Sequence, residues 1–279
     1  MDIKQIKYVF VDLDGTLLQD DKKLPPTVIE TIKRFRTMYH IPFGIATGRA
    51  LSSLLPLLKA KGLLDYIDVI VANNGVDLYI PAQQKLERKY MLDKTVIEKV
   101  LKAFEGEEDV NVCFHNPGLF YAQKVTKRVS NILKINQIDV VFHPNYCSDY
   151  TQTPRVMLLF DPANREKINT LIEKVHIVGV RGIQSEPDIY EYVDERVSKV
   201  VGIQEYVESF QDTLDQVLVI GDSYNDIEML QHCGIGVAMK NADEQVKQYA
   251  DMISEYTNNE DGVAHILSSC WNLDTKERG

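Results

Sequence analysis

Apolar residues in the first part of the chain form short continuous runs separated by longer amphipathic stretches. Residues 7–11, 41–46 and 68–72 are such runs, and polar or glycine-containing turn residues follow each of them at once. Runs of this kind are typical of strands that are covered on both faces of a parallel sheet. The stretches 27–38 and 51–61 repeat apolar residues at helical spacing. We therefore predict a β-α-β-α-β unit with parallel strands, which is an α/β fold.

Two helix boundaries have local sequence signals. Thr27 and Glu30 have the spacing of a capping box, directly after Pro25 and Pro26. This spacing predicts that the Thr27 side chain caps the first helix. Gly62 follows the second amphipathic stretch, and it predicts the end of that helix because glycine adopts the left-handed conformation without steric cost.

The pattern changes in the middle of the chain. Half-exposed strands are predicted at 77–80 and 85–91, and after them short helices and strands follow without the earlier regular alternation. The predicted segments are helices at 94–104, 126–134 and 163–175, and strands at 110–114, 139–142, 155–159 and 177–182. The α/β pattern returns after about residue 189. We therefore predict a discontinuous core domain of residues 1–82 and 189–279, interrupted by an α+β domain of residues 83–188.

Composition and charge narrow the possible functions. The 279 residues are 44% hydrophobic and 26% charged, as in ordinary globular proteins. There are 31 Lys and Arg residues against 41 Asp and Glu residues, which gives a formal net charge of −10. This acidity argues against a nucleic-acid partner and against polybasic membrane docking. A small anionic ligand is compatible with it, because a local pocket can oppose the net charge.

The cysteines and the hydropathy pattern indicate the compartment. The four cysteines are scattered and form no C-x-x-C pair, so we expect no structural zinc and a reducing environment. Residues 1–7 lack the apolar core of a signal peptide, and no run approaches the roughly 18 apolar residues of a membrane span. We expect a cytoplasmic protein without a membrane partner, as a monomer or weak homodimer.

Reactive side chains follow several of the predicted strands. Asp12 and Asp14 follow the first strand, Thr47 the second, and Asp222 a later one. Ligands of open parallel sheets bind at the carboxyl ends of the strands. Clustered carboxylates raise one another's pKa values, and Mg²⁺ with its preference for oxygen ligands would relieve that repulsion. Each acid taken alone is typical of a helix cap or a turn, but their common placement favours a metal site.

The residues at these strand ends carry a family resemblance. Tyr8-Val-Phe-Val-Asp-Leu-Asp-Gly-Thr-Leu-Leu18 resembles the first motif of the haloacid dehalogenase (HAD) superfamily. The second, third and fourth motifs of that superfamily are resembled in turn by three further places in the chain, which are Ala46-Thr-Gly-Arg49, Lys199 and Gly221-Asp-Ser-Tyr-Asn-Asp226. Three further segments resemble the Cof-type subfamily: Asn73-Asn-Gly75, Gly236-Val-Ala-Met-Lys-Asn-Ala-Asp243 and Glu260-Asp-Gly-Val263. The resemblance spans essentially the whole chain and implies a Rossmann-like HAD core with an inserted α+β type IIB cap.

The resemblance also implies an activity, the hydrolysis of small phosphate monoesters such as sugar phosphates or cofactor-precursor phosphates. Asp12 would be the nucleophile that forms an aspartyl-phosphate, and Asp14 the general acid and base. Mg²⁺ would be bound by the Asp12 carboxylate, the Asp14 backbone carbonyl and Asp222. The phosphoryl oxygens would be bound by the backbone amides of Leu13 and Gly48, the Thr47 hydroxyl, Lys199 and the Asn225 side chain.

Three further residues have less definite implied roles. Asp226 would support the site or assist the metal, Arg49 would reach the substrate or pair locally, and Asn74 would contact substrate or support the site. The third motif often reads Lys-Gly in this subfamily, whereas here it reads Ser198-Lys-Val-Val-Gly202. This departure leaves open whether the local turn or helix start differs, and whether Lys199 is a solvated helix lysine.

Two other functions remain open on the same fold. A sugar phosphomutase would return the phosphoryl group to a second hydroxyl of the substrate. A non-catalytic sensor would bind a sugar phosphate without hydrolysing it. Asp14 favours phosphatase or mutase chemistry over dehalogenation, because a halide leaving group needs no acid.

Overall fold

The fold is taken from a computed structural model, which describes residues 3–116, 119–136, 139–142, 150–186 and 188–273. The chain divides into two compact units. The core unit comprises Met1–Glu87 and Ser198–Gly279, and the inserted unit comprises Arg88–Val197. The assignment of different functions to the two parts of the chain stays a prediction.

The described elements follow one another along the chain in three stretches. The first stretch contains β1 (Tyr8–Val11), α1 (Pro26–Tyr39), β2 (Phe43–Ala46), α2 (Leu51–Ala60), β3 (Val69–Ala72), β4 (Asp77–Ile80) and β5 (Lys85–Arg88). The inserted unit contains β6 (Leu92–Asp93), α3 (Lys94–Ala103), β7 (Val110–Asn116), β8 (Leu119–Ala122), α4 (Lys127–Asn136), β9 (Asp139–Phe142), β10 (Gln152–Thr153), β11 (Val156–Phe160), α5 (Arg165–Ile172), β12 (Val180–Glu186) and β13 (Ile189–Asp194). The last stretch contains α6 (Lys199–Glu208), β14 (Val217–Gly221), α7 (Ile227–His232), β15 (Ile235–Ala238), α8 (Glu244–Lys247), β16 (Met252–Ile253) and α9 (Gly262–Trp271).

The core unit is built on one sheet with the strand order β16-β15-β14-β1-β2-β3-β4-β5. The strands from β16 to β3 are parallel, and β4 runs antiparallel to β3. Val11 at the end of β1 lies opposite Ile220 of β14 and Ile45 of β2. The residues that follow these three strands therefore lie at one edge of the sheet, as the sequence predicts for Asp12, Thr47 and Asp222.

Both faces of this sheet are covered, which explains the continuous apolar runs. Val9 and Val11 of β1 belong to a cluster with buried side chains of α1, α2 and α9. Tyr8 and Phe10 point the other way, into a cluster with buried side chains of α6, α7 and α8. Alternate residues of a strand face opposite sides of the sheet, so a strand between two helical layers is apolar at every position. The predicted α/β class is confirmed.

The two predicted helix boundaries have different outcomes. Helix α1 begins at Pro26, with Pro25 in the N-cap position and no side-chain cap bond. The predicted Thr27 cap is therefore wrong, because proline fills the first helical position, where its missing N–H is not needed. At the end of α2 the C-cap residue is Lys61, and Gly62 beyond it has φ +59°. The predicted glycine termination is confirmed.

The inserted unit has a different architecture. Its main sheet has the order β12-β13-β11-β7-β8-β9 and is antiparallel except for the pair β8 and β9. Buried side chains of α3 and α5 pack on one face, and Val129 of α4 packs on the other. β6 and β10 form a separate antiparallel pair. The predicted α+β class of the insertion is confirmed, and the strands β6, β8, β10 and β13 were not predicted.

Candidate active site

Three aspartates come together at the carboxyl edge of the core sheet. Asp12 directly follows β1, and Asp222 directly follows the neighbouring β14. Asp226 closes a short turn, Tyr224–Asp226, that leads into α7. Each of the three offers a carboxylate oxygen, and these oxygens lie within 4.8 Å of one another. The edge that the sequence predicts as reactive therefore carries a compact acidic cluster.

Lys199 is the cationic partner of this cluster. Its Nζ donates to Asp12 Oδ1 and to Asp226 Oδ1, each at 2.6 Å. The lysine is the first residue of α6, and the Ser198 side chain caps that helix by accepting from the amide of Val201. Only 1% of the Lys199 side chain is exposed. Lys199 is therefore a buried part of the site, so the interpretation as a solvated helix lysine is wrong.

Asp226 also fixes the loop that carries Asp222. Its second carboxylate oxygen accepts from the backbone amides of Asp222, at 3.0 Å, and Ser223, at 2.9 Å. The Ser223 side chain in turn caps the turn that contains Asp226. Both oxygens of the buried Asp226 carboxylate are thus hydrogen-bonded, as burial of a charge requires.

Burial and mutual repulsion set the electrostatics of the cluster. Burial, reinforced by the neighbouring Asp226 and Asp222, raises the pKa of Asp12 well above its usual value, although Lys199 opposes the shift. Burial and the charge of Asp226 raise the pKa of Asp222 to about 7. Burial alone would lower the pKa of Lys199, but Asp12 and Asp226 outweigh it and raise the pKa. The cluster therefore favours an additional cation.

The donor set fits a hard divalent cation. Carboxylate oxygens are the ligands that Mg²⁺ and similar ions prefer. Asp12, Asp222 and Asp226 form a group of this kind among the described residues. Thr16 donates its hydroxyl to Asp222 Oδ1 at 2.7 Å and so orients that carboxylate. The acidic cluster could therefore hold a divalent metal ion.

The Asp14 side chain has other partners. Arg49 Nε and an Arg49 terminal nitrogen donate to its two oxygens at 2.6 and 2.7 Å. Lys22 Nζ donates at 2.8 Å. Burial opposes ionisation of Asp14, but the hydrogen bonds and charges of Arg49 and Lys22 outweigh it and lower its pKa. Asp14 is therefore ionised in this arrangement, and Arg49 pairs locally as one of its two predicted roles requires.

The predicted phosphate-binding residues lie in several different surroundings. Asn225 Nδ2 donates to Asn74 Oδ1 at 3.0 Å, and a Cβ on Gly48 would lie 3.2 Å from that same oxygen. Thr47 is buried, and its Oγ1 accepts from the Arg49 amide at 3.1 Å. The structure therefore brings Gly48, Asn74 and Asn225 together. Leu13 is buried, and its carbonyl accepts from the amides of Leu17 and Leu18.

A family model described as haloacid dehalogenase-like hydrolase matches residues 9–267. The chain belongs to the haloacid dehalogenase-like hydrolases. The chain is therefore a hydrolase by family, and several of its relatives are named phosphatases. A 5-amino-6-(5-phospho-D-ribitylamino)uracil phosphatase of Bacillus subtilis is 27% identical over 271 residues, covering 95% of this chain and 97% of the relative.

Solved structures of haloacid dehalogenase-like hydrolases share the fold. One from Bacteroides thetaiotaomicron has a TM-score of 0.83 at 24% identity, covering 95% of this chain and 99% of that chain. A sugar phosphatase of HAD subclass IIB has a TM-score of 0.78 at 21% identity, covering 96% and 99%. The predicted Rossmann-like HAD core with a type IIB insertion is thereby confirmed as the fold class.

The departure from the Lys-Gly motif of this family has a structural explanation. Gly202, the displaced glycine, lies in α6 where that helix approaches β3. A Cβ on Gly202 would lie 2.5 Å from Cγ1 of Val71 and 3.5 Å from the Cα of Gly75. Val200 occupies the position after the lysine and packs into the core. The helix therefore begins at Lys199, and Gly202, one turn later, allows it to pack closely against β3.

Sequence reasoning assigned no role to two residues that contact the site. Thr16 lies in the first haloacid dehalogenase motif, so the motif itself was the available signal for its contact with Asp222. Lys22 has φ +64° in the loop after β1, and nothing in its local sequence indicates that it reaches Asp14.

No helix among the described residues has the length and apolar character needed to cross a membrane.

Proposed function

We propose that this phosphatase hydrolyses small phosphate monoesters, with Mg²⁺ as its cofactor, through an aspartyl-phosphate on Asp12. The observation that carries the proposal is the contact of Lys199 with both Asp12 and Asp226 at 2.6 Å, beside Asp222, at the carboxyl edge of the sheet. The substrate class is a sugar phosphate or a cofactor-precursor phosphate. The similar Bacillus subtilis phosphatase, whose name gives a phosphoribitylamino-uracil substrate, supports that class.

The proposed cofactor would be held by Asp12, Asp222 and the Asp14 backbone carbonyl, with Asp226 assisting. When bound, Mg²⁺ would neutralise charge on the phosphoryl oxygens. The phosphoryl group would also be bound by the amides of Leu13 and Gly48, the Thr47 hydroxyl, Lys199 and Asn225. The contact of Asn74 with Asn225 supports a role for Asn74 in orienting that side chain. These donors would act by fixed positioning and charge stabilisation.

The first step forms the aspartyl-phosphate. The Asp12 carboxylate attacks phosphorus, a new P–O bond forms, and the bond between phosphorus and the ester oxygen breaks. Asp14 delivers a proton to the departing oxygen, so the product is the free alcohol. Lys199 holds one oxygen of Asp12 and keeps the nucleophile in place throughout.

Asp14 must exchange its partners before it can act as the acid. Arg49 and Lys22 hold it in the ionised state, in which it has no proton to donate. A substrate phosphoryl group is an anion that competes with Asp14 for these two cations. Its arrival would draw Arg49 away from Asp14 and allow the carboxylate to bind a proton. Arg49 would then contact the substrate, so both of its predicted roles would belong to successive states.

The second step regenerates the enzyme. Asp14, now ionised, takes a proton from a water molecule as that water attacks the phosphorus of the aspartyl-phosphate. The bond between Asp12 and phosphorus breaks, and inorganic phosphate leaves. The net reaction is a phosphate ester plus water giving an alcohol plus phosphate, and Asp12 and Asp14 return to their starting states.

The test is phosphate release from a panel of phosphorylated metabolites and from p-nitrophenyl phosphate. We expect Asp12→Asn to lose activity by at least about a thousandfold, because the amide is a poor nucleophile. Asp21→Asn is the matched control, since Asp21 is an exposed aspartate on the same loop that pairs with Lys23. EDTA should abolish activity, and added Mg²⁺ should restore it.

The outcomes distinguish the alternatives. Full activity of the Asp12→Asn variant would contradict the assignment of Asp12 as the nucleophile. Activity that survives chelation by EDTA would contradict the proposed requirement for Mg²⁺. Conversion of a hexose monophosphate to its isomer without phosphate release would identify a phosphomutase. Binding of a sugar phosphate by the wild-type chain, with no turnover of any panel member, would identify a sensor.

A further inference from the structure

The loop that carries the nucleophile is tied to a distant part of the core unit. Asn241 Nδ2 donates to the Gly15 carbonyl at 2.8 Å. Asn258 Nδ2 donates to the Leu18 carbonyl at 2.9 Å, three residues further along the same loop. Asn241 lies in the segment Gly236–Asp243 that resembles the Cof-type subfamily, and the proposed chemistry assigns it no role. The function of these two hydrogen bonds therefore needs an explanation.

The orientation of the Asn241 amide is fixed by its neighbour. Asn241 Oδ1 accepts from the backbone N–H of Asn258 at 3.0 Å. Asn258 is buried and begins the turn Asn258–Glu260, which has a capping box formed by Thr257 and Glu260. Because its oxygen is held by an amide donor, the nitrogen of Asn241 faces Gly15. Asn241 is thus a rigid donor, although it lies at the surface.

Gly15 connects this donor to the acidic cluster. Its φ is +83°, and a Cβ on it would lie 2.3 Å from Oδ2 of Asp222. The backbone of Gly15 therefore lies directly against the Asp222 carboxylate. The next residue, Thr16, donates its hydroxyl to the other Asp222 oxygen at 2.7 Å. Gly15 and the Thr16 hydroxyl thus connect the loop of Asp12 to the carboxylate of Asp222.

We propose that Asn241 is a positioning residue for the phosphatase reaction. By holding the Gly15 carbonyl, it fixes the Gly15–Thr16 peptide against Asp222 and so sets the spacing between Asp12 and Asp222. It acts through Gly15 and Thr16 without touching the reacting atoms. The effect on turnover rests on the proposed function, whereas the effect on metal affinity depends on the Asp12–Asp222 geometry alone.

The test compares two substitutions at this position. Asn241→Ala removes the donor and the acceptor, whereas Asn241→Asp keeps the acceptor for Asn258 and removes the donor to Gly15. Partners that orient metal ligands typically contribute roughly 10–100-fold to activity or metal affinity. We expect kcat on p-nitrophenyl phosphate to fall about tenfold in both variants, with KM within about twofold of wild type. Mg²⁺ binding to the substrate-free protein, by calorimetry, should weaken by about tenfold.

A matched control is available at Asn259, the residue after Asn258. Asn259 Nδ2 donates to Asp20 at 2.8 Å, at the far end of the same loop and away from Gly15. Asn259→Ala should leave kcat and Mg²⁺ affinity within about twofold of wild type. Thermal unfolding of all three variants, measured without Mg²⁺, separates a positioning role from a loss of folded protein.

Each outcome decides the proposal. Wild-type kcat and Mg²⁺ affinity in Asn241→Asp would overturn it, because the donor would then be dispensable. Lower thermal stability of Asn241→Ala with unchanged Mg²⁺ affinity would also overturn it and leave a purely structural contact. Failure of the proposed function is recognised separately, by activity of Asp12→Asn, and the Mg²⁺ titration of the Asn241 variants would still decide the inference.

Discussion

Lys199 is the residue on which the charge balance of the site depends. It is a lysine with 1% of its side chain exposed between two buried carboxylates. Removing such charges from water costs several kcal/mol per ion, and the cost is offset only if every charge stays paired. Here the ammonium contacts Asp12 and Asp226, and backbone amides bind the other Asp226 oxygen. The site is therefore organised before any ligand arrives.

Lys199→Met should unbalance these charges and destabilise the protein. Two buried carboxylates would remain without their cation, so the free energy of unfolding at neutral pH should fall by about 3–5 kcal/mol. Urea unfolding measures this change. Lys240→Met is the matched control, because Lys240 is exposed and lies 4.0 Å from Glu260. A change below about 1 kcal/mol for Lys199→Met would contradict the assignment of a buried ion pair.

At this scale the sequence predicted some residues of the site and missed others. Asp12 and Asp222 were predictable because a strand end fixes where the next side chain lies. The contact of Lys22 with Asp14 depends on how the loop after β1 folds back, which no local pattern reports. The contact of Asn241 with Gly15 joins residues more than two hundred positions apart, so no local pattern reports it either.

Two glycines allow helix α6 to approach the neighbouring segments closely. Gly202 faces Val71 of β3, and Gly75 has φ +112°. A Cβ on Gly75 would lie 2.2 Å from the carbonyl oxygen of Ser198, at the start of the helix. The first turn of α6 therefore lies against the Asn73–Gly75 turn, and this approach brings Lys199 to Asp12.

Gly202→Ala should destabilise the protein although alanine is the better helix former. The helical preference would contribute about 1 kcal/mol. The added methyl would meet a buried valine at 2.5 Å, and overpacking of this kind costs about 1–3 kcal/mol. We expect a net loss in urea unfolding, and the exposed Gln204→Ala in the same helix should stay within about 0.5 kcal/mol of wild type. A stabilised Gly202→Ala would contradict the close contact.

Among the elements, strand β13 escaped prediction from the sequence for a physical reason. β13 reads Ile-Tyr-Glu-Tyr-Val-Asp, with a charged residue at its centre. Glu191 is buried because it pairs with Arg155 at 3.1 Å and accepts from the Ser185 hydroxyl at 2.7 Å. Both partners lie outside this strand, so its own sequence does not show that the position is buried. The buried apolar strands β1, β2 and β3 of the core unit carry no such ambiguity, and they were predicted.

For the whole molecule, the two units have separate hydrophobic cores. The buried clusters around the core sheet draw their residues from the core unit, and those around the second sheet draw theirs from the inserted unit. A unit with its own core is expected to fold alone. The sequence pattern ends the insertion at residue 188, whereas the compact unit continues to Val197 and includes β13.

Two fragments of the insertion test this boundary. Residues 88–197 should fold cooperatively when expressed alone, because they include β13 between β12 and β11. Residues 83–188 lack that strand, which separates β12 from the rest of the sheet, and should remain unfolded. Thermal unfolding followed by circular dichroism and proton NMR dispersion measures both. A cooperative transition in the shorter fragment, or none in the longer one, would contradict the division.

The assembly of the core sheet from both ends of the chain has a consequence for synthesis. β1 pairs with β14 in the finished sheet, and more than two hundred residues lie between Asp12 and Asp222. At about 5–20 residues per second, the ribosome needs about 10–40 s to make the intervening chain. During that interval β1 has no β14 to pair with, and the inserted unit emerges complete. One edge of β1 therefore stays unpaired until residues 217–221 have been made, and an unpaired strand edge is a template for pairing with another chain.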